Sequence, residues 1–149
     1  MVSRKITSVD DLSLKEISSI VYKALRFKKS TIQKKTNKPK NIFNLFLEAS
    51  TRTTISFELA SKKLGHNVIN VNFEKSSLSK GETFNDTMDT LISMKPDALI
   101  IRDKNNFSPH EIYQKHKIPI LNAGDGTNEH PTQALFCLLY TSPSPRDQV

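Results

Sequence analysis

The chain has 149 residues, of which 36% are hydrophobic and 25% charged, and a formal net charge of +7. That is a globular composition of one-domain length, so wholesale disorder, low-complexity polymers and an ordinary two-domain enzyme are excluded. No apolar run approaches the roughly 18 residues of a membrane-spanning helix, and Met1 to Asp11 lacks the apolar core of a secretory signal, so the expected compartment is the cytoplasm.

Ser13 and Glu16 have the spacing of a capping box, and Leu14, Ile17, Val21 and Ala24 recur at helical spacing behind it, which predicts a helix from Leu14 to about Phe27. A lysine-rich loop with Asn37 and Pro39 follows. Asn41 to Leu47 is a short apolar run that suits a buried strand. Glu48 to Thr51 reads as a turn. From Arg52 to Leu64 the pattern is helical, with Phe57, Ala60 and Leu64 on one stripe and Gly65 as the stop.

Asn67 to Phe73 reads as a second strand and Glu74 to Gly81 as a polar loop. Ser79 and Glu82 repeat the capping-box spacing and open a helix to about Met94, ended by Pro96. Asp97 to Arg102 is a third strand. Ser108-Pro109-His110-Glu111 starts another helix, with proline at its first position. Ile118 to Leu121 is a fourth strand, Asn122 to Glu129 a glycine-containing loop, and Pro131 begins a last helix. The alternation predicts an α/β fold: an open parallel sheet with helices on both faces.

Cys137 to Val149 departs from this pattern. Its two prolines, Pro143 and Pro145, break the helix, and the run looks like in-frame read-through of a sequencing adapter. The expected organisation is therefore one domain over 1–136, a non-native tail over 137–149, and a gene that continues beyond Phe136. The single cysteine rules out an internal disulfide framework and a Cys-based zinc site. His66, His110 and His116 show no metal-ligand spacing, so no metal is expected. No dinucleotide fingerprint and no P-loop are present.

The basic balance suits a nucleic-acid surface, an anionic small substrate or lysine-rich solubility. The cluster Lys28–Lys40 has no interleaved aromatic residue, which argues against a base-stacking platform and for a solvated loop, so no nucleic-acid partner is expected.

Ligands of open α/β sheets sit outside the carboxyl ends of the strands. Ser50-Thr51-Arg52-Thr53 follows the first strand and opens a helix, where backbone N–H groups, hydroxyls and a planar guanidinium can cradle a phosphate. Ordinary helix capping is the plainer account of such a run. Arg102 ends the third strand. His130 and Gln133 open the last helix, where an imidazole can donate to a developing oxyanion and an amide can bind an amide-like group. Ser76, Ser77 and Lys80 occupy the loop after the second strand.

Together these segments resemble the aspartate carbamoyltransferase catalytic chains of the aspartate/ornithine carbamoyltransferase superfamily. The match covers about Ile6 to Phe136, the carbamoyl phosphate-binding half. Phe46-Leu47-Glu48-Ala49-Ser50-Thr51-Arg52-Thr53 is similar to the signature F-x-E-x-S-T-R-T, and Ser76-Ser77-Leu78-Ser79-Lys80-Gly81-Glu82 to the loop S-x-x-x-K-G-E. Asn122-Ala123-Gly124-Asp125-Gly126 with His130-Pro131-Thr132-Gln133 is similar to N-A-G-D-G…H-P-T-Q. The last two favour the aspartate branch over the ornithine branch. Thr54 replaces the basic or polar residue common after S-T-R-T.

The resemblance implies that Ser50, Thr51, Arg52 and Thr53 bind the phosphate of carbamoyl phosphate, that Arg102 and His130 polarise its carbonyl, and that Gln133 binds its amino group. It implies a homotrimer in which Ser76 and Lys80 reach the neighbouring subunit's site, and L-aspartate as the second substrate, with N-carbamoyl-L-aspartate as a product of pyrimidine synthesis. No cofactor is implied, and regulatory chains are left open. The aspartate-binding domain of the family is not expected in these residues, so the fragment would not turn over alone. An ornithine carbamoyltransferase, or a non-catalytic anion-binding fragment, are the rival readings.

Overall fold

The computed structural model describes residues 4–29, 36–73 and 83–141. Five strands form one sheet: β1 (Lys5–Ile6), β2 (Asn41–Phe46), β3 (Asn67–Asn72), β4 (Ala98–Asp103) and β5 (Ile120–Asp125). They lie in the order β1-β5-β4-β2-β3 and every pair is parallel. The helices are α1 (Leu14–Lys29), α2 (Thr51–Lys63), α3 (Phe84–Ser93), α4 (Ser108–His116) and α5 (Pro131–Thr141).

Side chains of a strand alternate between faces, and the core divides accordingly. Phe43, Leu45, Leu99, Ile101 and Ile120 pack on one face with Met88 of α3 and Ile112 of α4. Ile42, Ile100 and Ala123 pack on the other, with Phe57 of α2. Leu45, Leu99 and Ile101 lose all exposure, each worth about 1.5–3 kcal/mol relative to an exposed side chain. Both faces carry helices, as the alternating elements predict. The same alternation sends Arg102, in register with Phe46, to the α2 face.

The sequence reading and the structure part at several places. β1 and the short 3-10 turn Val9–Asp11 are additional elements; two residues of strand carry no readable period. β5 runs to Asp125, through residues that read as a loop. Asn-Ala-Gly-Asp has turn chemistry, but here it is extended and buried, with Asn122 at 0% and Asp125 at 2% exposure. The Asn122 amide donates to Thr7 O and to Asp125 Oδ1, both at 2.9 Å, and its Oδ1 accepts from Gly124 N.

The helices shift too. Leu14 is 83% exposed, and the stripe of α1 is only partly covered, with Ile17, Val21 and Ala24 half-buried. Ala60 is exposed and Leu64 is 38% exposed; Ser61 is the buried residue of α2. Helix α4 starts one residue before its proline, after Phe107 in a left-handed conformation (φ 64°). That strain is offset by a bond from Phe107 N–H to Asp125 Oδ2 at 2.8 Å.

The Ser13–Glu16 capping box forms in both directions. Ser79 and Glu82 lie outside the described residues, and α3 is capped instead by Thr83, whose hydroxyl accepts from Asp86 N. Helix α5 continues through Cys137 to Thr141, a stretch without Pro or Gly, and the Phe136 and Tyr140 rings meet at 4.7 Å. Among the described residues no helix is long and apolar enough to cross a membrane.

Replacing Asn122 by Ala removes its donors to Thr7 and Asp125 and orphans Gly124 N–H. The expected cost is about 2–3 kcal/mol of unfolding free energy, read from denaturant midpoints. A loss under about 0.5 kcal/mol would show that the network does not hold β5.

Candidate functional site

Chain crossings place the site. From β2 the chain passes through α2 to the edge strand β3, and from β4 through α4 to β5 on the other side. Helices α2 and α4 cover opposite faces, so the chain leaves the paired carboxyl ends of β2 and β4 in opposite directions and a crevice opens beside them. A cavity of about 680 Å³ opens there, lined by Arg52, Thr53, Arg102, His130, Thr132 and Gln133 among others.

Ser50 stands at the N-cap of α2 but makes no side-chain capping bond. The plainer account of S-T-R-T therefore fails for its serine: the hydroxyl and the first N–H groups are left for another acceptor. No acidic side chain sits in the first turn, so nothing in the helix itself neutralises its positive end. Thr54 turns back onto its own helix, donating to Ser50 O at 2.8 Å, which explains why a threonine serves there.

The four motif residues do not share one wall. Arg52 and Thr53 line the large cavity, whereas Ser50 and Thr51 line a neighbouring depression of about 350 Å³. Successive residues at a helix start point about 100° apart. Their side chains thus flank the helix terminus on two sides.

Arg102 is held by an ion pair and a hydrogen bond. Its Nε lies 2.6 Å from Glu48 Oε1 and its Nη1 donates to Ala123 O at 3.1 Å. The β4–β5 pairing shifts register between Ile101 and Asp103, which brings the Ala123–Gly124 backbone beside the guanidinium. Gly124 has φ 116°, and a Cβ there would stand 2.7 Å from Arg102 Nη1. Glycine is thus required twice, for the backbone angle and for the arginine. Glu48 drew attention in the sequence only as a motif letter. The cue to its role is position: it is the first acid after β2, whose last residue is in register with Arg102.

His130 is delivered by the turn after β5. Asp125 accepts from Phe107 N, Glu129 N and the Asn122 and Asn128 amides, and Glu129 in turn accepts from Ser8 Oγ and Val9 N. The half-buried imidazole titrates below its ordinary value near 6.5: burial is the larger cause, Arg102 the second, and a bond to its own backbone carbonyl opposes them. At neutral pH it is therefore a neutral ring, with Nδ1 3.2 Å from Thr132 Oγ1. Gln133 is exposed on the cavity wall with its amide nitrogen 3.9 Å from Cys137 Sγ. Ser76 and Lys80 lie outside the described residues.

The cavity thus combines a helix N-terminus, two guanidinium groups, an uncharged imidazole and an amide. That set suits an anion joined to a polarisable carbonyl.

The family model described as aspartate/ornithine carbamoyltransferase, carbamoyl-P binding domain, matches residues 4–142. The aspartate carbamoyltransferase catalytic subunit of Solibacter usitatus is 46% identical over 135 residues, covering 88% of this chain and 45% of that protein. That of Pelagibacter ubique is 42% identical over 142 residues, covering 91% and 45%. The aspartate transcarbamoylase of Trypanosoma cruzi, in complex with carbamoyl phosphate and aspartate, is similar with a TM-score of 0.81 at 37% identity, covering 93% of this chain and 44% of that one. The chain spans a little under half the length of these relatives.

In a pH titration followed by NMR, His130 is expected to show a midpoint below 6.5, and Arg102→Gln should move it upward by removing the repulsive charge. Between that midpoint and 6.5 the unfolded chain binds the extra proton, so this group's contribution to stability falls as pH drops through that window. An unmoved or lowered midpoint in the variant would contradict the coupling.

Proposed function

The chain belongs to the aspartate/ornithine carbamoyltransferase family, and from that premise we propose that it is the carbamoyl phosphate-binding part of an aspartate carbamoyltransferase catalytic subunit. The observation that carries this is the uncapped Ser50 at the start of α2, the helix whose next residues Arg52 and Thr53 line one cavity with Arg102 and His130.

In this reading the phosphate lies against the α2 N-terminus. Backbone N–H groups, the hydroxyls of Ser50, Thr51 and Thr53, and the Arg52 guanidinium bind its oxygens. The carbonyl faces Arg102 and His130, and Gln133 holds the amino group. The α-amino group of L-aspartate attacks the carbonyl carbon, placing negative charge on the oxygen. The C–O bond to phosphate then breaks, phosphate leaves with the electron pair, and the amine loses a proton. Donors fixed before the reaction favour that charge, and removing one typically costs about 10²–10³ in rate. Holding both reactants together adds an orientation term.

The same reading puts the aspartate site in the part of the relatives' length that this chain does not span. A homotrimer in which Ser76 and Lys80 serve the neighbouring subunit, and a cytoplasmic role in pyrimidine synthesis, belong to the same proposal. The ornithine branch is the rival, and the relatives' names favour aspartate.

Calorimetry of the chain with carbamoyl phosphate and with inorganic phosphate tests the first half. Arg52→Ala should weaken binding about 10- to 100-fold, the worth of a charge-assisted hydrogen bond. Binding within threefold of the parent would remove Arg52 from the site. A chimera placing residues 4–136 in the Solibacter usitatus subunit tests the second half: carbamoyl transfer to aspartate is expected, and a folded chimera that transfers no carbamoyl group would overturn the assignment.

A further inference from the structure

We propose that Thr132 is a positioning residue for His130: its hydroxyl donates to Nδ1 and so keeps the proton of the neutral ring on Nε2, the nitrogen left to donate within the crevice. This rests on reading His130 as a donor to the substrate carbonyl, but the tautomer is a property of the chain alone.

Three observations carry it. Thr132 Oγ1 and His130 Nδ1 are 3.2 Å apart, and both residues line the cavity. Thr132 is the second residue of α5, so no carbonyl within the helix lies one turn behind to take its hydroxyl proton. The carbonyl of Glu129, just before, already accepts from Asp125 N. The imidazole Nδ1 is the partner the fold sets beside this half-buried hydroxyl.

The H-P-T spacing makes the contact rigid. A residue before proline is confined to extended backbone, and Pro131 is fully buried at the first position of α5. The His130 carbonyl accepts from Ala134 N at 3.0 Å, which fixes the peptide on the other side. Ring rotation and proton placement are then the remaining freedoms, and Thr132 acts on both. A hydrogen bond donated to the neutral ring also disfavours imidazolium, in the same direction as burial and the Arg102 charge. The competitor is the ring's own backbone carbonyl, which draws a protonated nitrogen toward itself.

The test is long-range proton–nitrogen correlation NMR on the nitrogen-15-labelled chain above pH 7, with ring signals identified by their loss in His130→Gln. The expected parent spectrum shows Nε2 protonated and Nδ1 as acceptor. Thr132→Val should move the tautomer ratio toward Nδ1–H by roughly fivefold, and Thr132→Ser should restore it. Thr132→Ala replaces the valine variant if that chain does not fold. A parent ring protonated on Nδ1, or a ratio unmoved by loss of the hydroxyl, overturns the proposal. Phosphate calorimetry on the same samples separates the two readings: a parent that binds no phosphate sinks the functional assignment and leaves the tautomer result standing.

Discussion

The carboxylate of Asp125 is buried at the end of β5, with four N–H donors gathered on its two oxygens. An uncompensated buried carboxylate costs several kcal/mol, whereas each hydrogen bond to a charged group returns about 1.5–3 kcal/mol. The donors come from three places: the strand itself, the turn to His130, and the start of α4. One anion therefore ties together the end of the sheet, a left-handed residue before α4, and the peptide that carries the imidazole. His130 follows directly on the residues bonded to Asp125, so the same bonds fix where it enters the crevice.

Period and register decide what else reaches the crevice. Alternation along β4 buries Leu99 and Ile101 on the α3–α4 face and sends Arg102 to the α2 face. The irregular pairing with β5 exposes the Ala123 carbonyl to the guanidinium, and Gly124 clears the space. The positive end of α2 faces the same crevice because β2 lies next to β4 while its chain continues the other way. Fixed dipoles, a fixed guanidinium and a fixed imidazole converge without any one element being built for that alone.

Much of this was legible in the sequence where burial writes a period. The strands β2 and β4 announce themselves as apolar runs, β3 by its valines and isoleucine among asparagines and β5 by its first two residues, and Ser13 with Glu16 marks the α1 start by its chemistry. What escaped lies where polar groups are buried or apolar groups are not. Asn122 to Asp125 reads as a loop because its residues are turn formers, yet they satisfy one another inside the fold. Leu14 and Leu64 match a helical stripe and still face outward. For the site, Arg52, Thr53, Arg102, His130 and Gln133, singled out from strand ends and motif spacing, line one cavity. Glu48, Gly124 and Thr132 were not singled out, because each touches the site through a neighbour that only the fold supplies.

Arg102 shows how these supports bear on chemistry. The Glu48 and Arg102 side chains are 31% and 24% exposed, so their ion pair is neither a solvated surface contact worth about 0–1 kcal/mol nor a fully desolvated one. An incoming anion must share the guanidinium with Glu48 or displace it, and the Ala123 carbonyl keeps the group in place meanwhile. A second full charge on His130 would be repelled by Arg102 and would lose hydration in the crevice. A neutral imidazole avoids both costs and still offers a directed N–H. Under the proposed function the site divides its labour: fixed positive charge from Arg52, Arg102 and the α2 terminus for the phosphate, and an uncharged donor for the carbonyl oxygen whose charge grows only during reaction. That division follows from burial and from one nearby arginine.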